Sequence, residues 1–354
     1  MTKERNPYLD ILKAITIILV VIGHAIQYGS GLEYLTYAGF LYNKVFIFIY
    51  SFHMPLFMLI SGYLFAISTK EKTFKESLLS KFKQLIIPLL CWSVITLIVE
   101  CIKIPLGVST HTFGFVWIFQ TLLSSFWGGP WFLWALWWCS LIIIIGKKIF
   151  KDNPIPYFII CLLSFILPDS NNIAVYSFMW PFFLIAYLFK KYDCDTKFSQ
   201  VYTHKAFGLS AVIIFVLLLR YYNFNSFIYT SGFSVIDKNI LMQIHNNTYR
   251  FTIGLVGSIA TMCVVYAFMD ITPNIIKKTL SYIGTCTLGI YIISNYLFDE
   301  ILKRIPVPGL NFWYASLEVI IALGICIGLT TLLQRFKITN MLFLGGRQRK
   351  KSTN

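Results

Sequence analysis

The sequence predicts an all-α, polytopic integral membrane protein with about ten transmembrane helices and both termini in the cytoplasm. Three observations predict it. Of 354 residues, 57% are hydrophobic, 18% aromatic and only 13% charged, about half the charged fraction of an average soluble chain. Apolar segments recur along the chain, most of them near the roughly 20 residues a helix needs to cross a bilayer. Basic residues fall on alternate loops: with the N-terminus inside, the inside segments hold 22 of the 30 Lys and Arg, the outside segments 7, and Lys13 lies in the membrane. Orientation follows Lys and Arg in short loops. The formal charge of +15 is therefore a topology signal with an attraction for anionic lipid heads, and nucleic acid is not implied.

In order, the apolar segments are 9–28, 44–67, 85–102, 130–146, 155–167, 174–189, 206–222, 251–269, 280–298 and 310–334. The first lacks the small-residue cleavage site of a signal peptide and is expected to be a retained helix. The second carries Pro55 and Gly62, which predict a bend whose freed carbonyls line a cavity, or a plain packing kink. The third opens after Lys81 and Lys83 and ends near Glu100. The fourth starts among Trp127, Trp131, Trp134, Trp137 and Trp138, an aromatic belt by default. Segments 155–167 and 174–189 are short for a span and the latter contains Pro181, so both are expected to be tilted, kinked or partly re-entrant. The longest outside loop, 223–250, holds Tyr229, Asp237, Gln243, His245 and Tyr249 and is either a cap over an outward cavity or an ordinary surface loop. Residues 1–340 form one transmembrane domain, and 341–354 a basic cytoplasmic tail. The eight cysteines have no CxxC spacing and read as apolar packing residues, with neither a disulfide framework nor a metal site.

Polar side chains in hydrocarbon are expensive, which makes Asp10, Lys13 and His24 in the first segment functional candidates. Eleven helical steps from Lys13 to His24 return to within about 20° of the same face and advance about 16 Å, and Asp10 shares that face. The first helix thus carries an acid, a base and a deeper imidazole on one stripe. The competing readings are a packing imidazole and a snorkelling lysine paired with Asp10. His53, in the second segment, lies at a depth that approaches His24.

The stretch Tyr8 to His24, with Leu9-Asp10, Lys13, ten intervening residues and Val21-Ile22-Gly23-His24, resembles the first helix of the membrane acyltransferase family 3. Three further pieces agree in order and spacing: Phe52-His53-Met54-Pro55-Leu56-Phe57 with Ser61-Gly62-Tyr63, Trp131-Phe132-Leu133, and Ser281-Tyr282 through Leu288-Gly289-Ile290-Tyr291. Within the family the chain looks most like the fucose 4-O-acetylase-like and polysaccharide intercellular adhesin branch. The chain departs from the family in having Ser294 and Asn295 where a His often follows, and lysines where an Arg-rich stretch precedes the third helix.

This resemblance implies a plasma (inner) membrane O-acyltransferase that moves an acetyl or succinyl group from cytoplasmic acyl-CoA, a co-substrate, to a hydroxyl of a cell-surface or lipid-linked glycan, without a metal. A neutral imidazole is the usual base for such a hydroxyl. On this reading His24 is the general base and His53 orients it or a substrate; Asp10, Lys13, Lys81 and Lys83 hold the donor; Glu100 and Trp131 meet the acceptor. Glu100 is expected to touch the sugar or bond to His24 or His53. A cytoplasmic cavity beside the 68–84 loop is expected to narrow at His24 and meet an outward cleft. The alternative class is a transporter or flippase of an envelope lipid or glycan, which should show paired broken helices in its two halves.

Overall fold

Apolar periodicity without strand-type alternation gives helices throughout. The computed structural model of the protein describes residues 6–28, 39–108, 111–167, 172–197, 200–201, 204–234, 239–302 and 312–346, and among the described residues there is no strand. The helices that matter here are α1 (Pro7–Tyr28), α2 (Lys44–Tyr50), α3 (His53–Thr69), α4 (Phe74–Lys81), α5 (Ile87–Lys103), α6 (Phe115–Trp127), α7 (Trp131–Ile149), α8 (Pro154–Ser164), α9 (Ile173–Lys191), α10 (Lys205–Leu219), α11 (Ile240–Phe268), α12 (Asn274–Thr285), α13 (Thr287–Tyr296), α14 (Phe312–Arg335) and α15 (Lys337–Leu344). Seven continuous helical stretches are long and apolar enough to cross a membrane. Each of the ten predicted segments finds a helix, but 155–167 and 206–222 form only the short α8 and α10, and 280–298 is divided.

Three local departures from straight helix have identifiable causes. The second segment breaks at Ser51–Phe52, so that Pro55 falls in the first turn of α3, where a missing N–H leaves no helical bond unmade. The third begins earlier than expected: α4 runs into α5 through a π-helical turn at Phe82–Ile86, where the Ile87 N–H reaches back to the Phe82 carbonyl. That wide turn sits just ahead of Pro88, as expected where a proline removes a bond from the ladder. The ninth begins at Asn274, breaks between Thr285 and Thr287, and ends in a second π-helical turn, Leu297–Ile301.

Other boundaries are corrected. Residues 240–250 belong to α11 rather than to a loop; the side chain of Gln243 bonds both backbone groups of Ser234, and Asn247 donates to the Gly232 carbonyl at 2.8 Å. The outside loop before the fourth segment contains α6, whose 13 residues give about 20 Å, too short to span. The helix around Pro181 is continuous: α9 runs through it for 19 residues. Lys303, Arg304, Asp237 and the end of the basic tail lie outside the described residues.

The core is organised around α1, which packs on α12, α13 and α14 on one side and on α2, α3 and α11 on another, while α3 packs most extensively on α9. Glycines set the closest approaches. A Cβ at Gly62 would collide with the Phe183 carbonyl oxygen, and one at Gly284 with that of Asp10. In both places two helix backbones touch, the arrangement by which helices pack where lipid gives no hydrophobic drive.

Candidate functional site

The break in the second span builds the site. Because α2 ends at Tyr50 and α3 starts at His53, the Ile49 carbonyl accepts from His53 Nδ1 at 2.8 Å. A carbonyl can only accept, so Nδ1 carries the hydrogen and Nε2 of the neutral ring keeps its lone pair. Tyr50 packs beside His53 and against the residue that precedes His24. Its ring lies 4.7 Å from that of His53, it packs directly on Gly23, where a Cβ would be 2.6 Å from the ring, and its hydroxyl donates to Gln27 Oε1 at 3.0 Å.

His24 is only partly buried. Its ring meets Tyr28 edge-on at 6.1 Å and Phe298 at 6.0 Å. Nδ1 is enclosed with no hydrogen-bond partner among the described residues. No structural hydrogen bond within the described residues holds this imidazole. An accessible aromatic surface adjoins it: Tyr229, 53% exposed, lies 6.3 Å from Tyr50, ring to ring, with Trp131 and Tyr28 as its other neighbours.

Three of the sequence motifs meet one another nearby. Phe57 packs on Phe132 at 5.5 Å, and Phe132 on Tyr291 at 5.8 Å; the Tyr291 hydroxyl accepts from the Phe132 N–H. Tyr63 instead points to the far end of α3, where its hydroxyl donates to Asp195 Oδ2 at 2.7 Å. Burial pushes the Asp195 carboxyl up, but bonds from Lys190 and Tyr63 outweigh it and hold the group below the usual carboxylate range.

Other candidates fall elsewhere. Lys13 and Asp10 form an ion pair at 2.6 Å, both largely buried on α1. Lys81 lies over the Phe65 ring, 5.0 Å from its centre, and bonds Gln84; Lys83 is exposed. Neither lines the nearby cavity of about 180 Å³, which is bounded by Lys72, Phe74, Ser77, Ile144, Lys147 and Lys148. Glu100 does not bond to either histidine. Its carboxylate takes Lys103 at 2.5 Å, and Lys103 also reaches Glu300 at 2.7 Å, because the π-helical turn brings an acidic pair beside the end of α5. Trp131 lies beside Tyr229. Sequence reasoning missed Tyr50, whose only signal was its place three residues before His53, and treated Tyr229 merely as part of a loop.

The outer wall is pinned by a buried arginine. Arg250, 3% exposed, donates to Asn247 Oδ1 at 2.5 Å, to the Asn225 carbonyl at 2.5 Å and to both oxygens of Thr230. These bonds fix the 224–230 turns, and with them Tyr229, against α11.

Ten apolar segments, a helical architecture with membrane-length helices and an embedded cluster of histidines and aromatic rings define a polytopic integral membrane protein. The chain belongs to the acyltransferase family 3: the family's acyltransferase domain matches residues 6–334. Among curated proteins it is similar to Nodulation protein NolL of Mesorhizobium japonicum, 28% identical over 84% of this chain and 78% of the relative. It is also similar to Nodulation protein NolL of Sinorhizobium fredii, 31% identical over 57% of this chain and 53% of the relative. No solved structure matches it significantly.

Proposed function

We propose that this membrane acyltransferase moves an acetyl or succinyl group from cytoplasmic acyl-CoA to a hydroxyl of an envelope glycan across the plasma membrane, with both its termini inside and His24 as general base. The observation that carries the proposal is the His24 imidazole, partly accessible, without a hydrogen bond among the described residues, and sharing Tyr28 as a neighbour with the exposed Tyr229. Attack on a thioester carbonyl requires the acceptor hydroxyl to lose its proton as the new C–O bond forms, and a lone-pair nitrogen within hydrogen-bond reach takes it. The thiolate of CoA leaves. On this reading His53, its ring held by the Ile49 carbonyl, orients the substrate, while Trp131 and Tyr229 offer ring faces to the sugar.

On the donor side, Lys72, Lys147 and Lys148 surround a cavity of about 180 Å³ and suit the phosphates of a nucleotide. The Lys13–Asp10 pair lies between that end of the protein and His24. The transporter alternative gains one observation, since the second and ninth spans are both broken. Two five-span inverted halves would instead pair the second span with the seventh, and α10 is unbroken.

The test is the mass of the envelope glycan in a deletion strain and its parent. The loss of one acyl group per modified sugar, restored by the wild-type chain, is expected. An unchanged glycan overturns the reading.

A further inference from the structure

Glu318, in the last spanning helix, is 4% exposed, and neither carboxylate oxygen has a hydrogen-bond partner. Such a group is costly in any protein interior and more so in a membrane span. The structural uses of a buried carboxylate are to bind a cation, a backbone N–H or a hydroxyl, and among the described residues Glu318 does none of these. Among the described residues, Lys103 at the same end of the bundle is occupied by Glu100 and Glu300.

Helix register shows what Glu318 stands beside. Asp10 lies against Gly284, and His24 against Phe298, so both pairs are 274 residues apart and α1 runs parallel to α12 and α13 in constant register. Gly289 lies against Thr330, Cys286 against Gln334 and Tyr282 against Thr331, so α14 runs the other way. Following that register about three turns up α14 sets Glu318 level with Asn295–Leu302, the stretch whose Phe298 packs on His24. Helix lengths agree: Glu318 is 17 residues from Arg335, and His24 is 17 residues from Pro7, about 25 Å up each helix. Since α14 also packs on α1, the two unpartnered polar side chains share one level of one helix trio. Below Glu318 the buried positions of α14 are Ala322, Cys326 and Thr330, small side chains that bring it close to its neighbours.

We propose that Glu318 is an acceptor-binding residue, its carboxylate taking hydrogen bonds from sugar hydroxyls adjacent to the one that His24 deprotonates. This rests on the acyl-transfer reading above. A polyhydroxylated acceptor supplies the O–H donors that the chain itself withholds, and Glu318 lies at the outer half of the bundle, where such an acceptor arrives on that reading.

The experiment uses purified full-length protein in lipid nanodiscs, unacylated glycan extracted from the deletion strain, and the acyl-CoA that supports wild-type transfer. Glu318→Met, of similar volume, is expected to lower transfer at least tenfold with a raised KM for glycan and an unchanged KM for acyl-CoA, and to raise Tm, because an unmatched buried carboxyl is removed. Glu318→Gln keeps one oxygen acceptor and is expected to fall between. The inference is overturned if Glu318→Met lowers Tm, which marks a structural carboxylate, if only the acyl-CoA KM moves, or if transfer is unchanged. Absence of transfer by the wild-type chain overturns the acyl-transfer reading itself, and this inference with it.

Discussion

His24→Ala is expected to insert and fold as the wild type does, yet to lose acyl transfer by about 10²-fold or more, the usual scale of general-base catalysis. The folding half of the expectation follows from geometry. The imidazole makes no hydrogen bond that the fold depends on; its ring contacts are two edge-on aromatic contacts near 6 Å. The catalytic half follows from the same fact, since a nitrogen committed to a structural bond could not receive a proton. Transfer by membranes carrying His24→Ala, normalised to protein amount, checks it; near-normal glycan acylation would remove His24 from the chemistry.

The largest expected effect on folding belongs to Gly284→Val. At this position a side chain meets the Asp10 carbonyl of α1, a backbone atom that cannot rotate aside. Overpacking a rigid contact costs about 1–3 kcal/mol and occasionally more, and two extra methyl groups against backbone place Val at the upper end. Relief requires α1 to shift away from α12, which moves both the Asp10–Lys13 pair and the His24–Phe298 contact. We therefore expect little monodisperse Gly284→Val protein in detergent, and a lowered Tm for Gly284→Ala. Gly324 supplies the control: nothing lies within 4 Å of its Cβ position, and Gly324→Ala is expected to be neutral or stabilising by about 0.5–1 kcal/mol from helix propensity. Equal behaviour of the two alanine variants would refute the α1–α12 contact.

Much of this arrangement is legible in the sequence, for a physical reason in each case. The α1 stripe is readable because polar residues in hydrocarbon stand out and helical spacing fixes their face. Pro55 signals the break of the second span, although only the structure shows that the break turns the Ile49 carbonyl onto His53 and sets Tyr50 against both His53 and Gly23. Hydropathy follows apolar length, so it misses helix that continues in polar residues, as α11 does from Ile240 to Arg250, and helix interrupted by Gln120, Ser124 and Ser125, as in α6. Charge counting treats every inside lysine alike and cannot single out Lys147 and Lys148 from Lys81 and Lys83. Glu318 was readable on the argument applied to His24, a lone ionisable residue inside an apolar run; without a spaced partner on its own helix it carried no pattern, and its meaning depends on register between helices far apart in the chain.

The central claim is that acyl groups enter from the cytoplasmic side and leave on a glycan at the other. Inverted membrane vesicles present the cytoplasmic face outward, and acyl-CoA does not cross a bilayer. Vesicles holding the wild-type chain, given acyl-labelled CoA externally, are expected to accumulate label on lumenal glycan, with none in vesicles carrying His24→Ala. Label that appears on glycan only after the vesicles are opened to admit acyl-CoA to the lumen would contradict transfer through the protein.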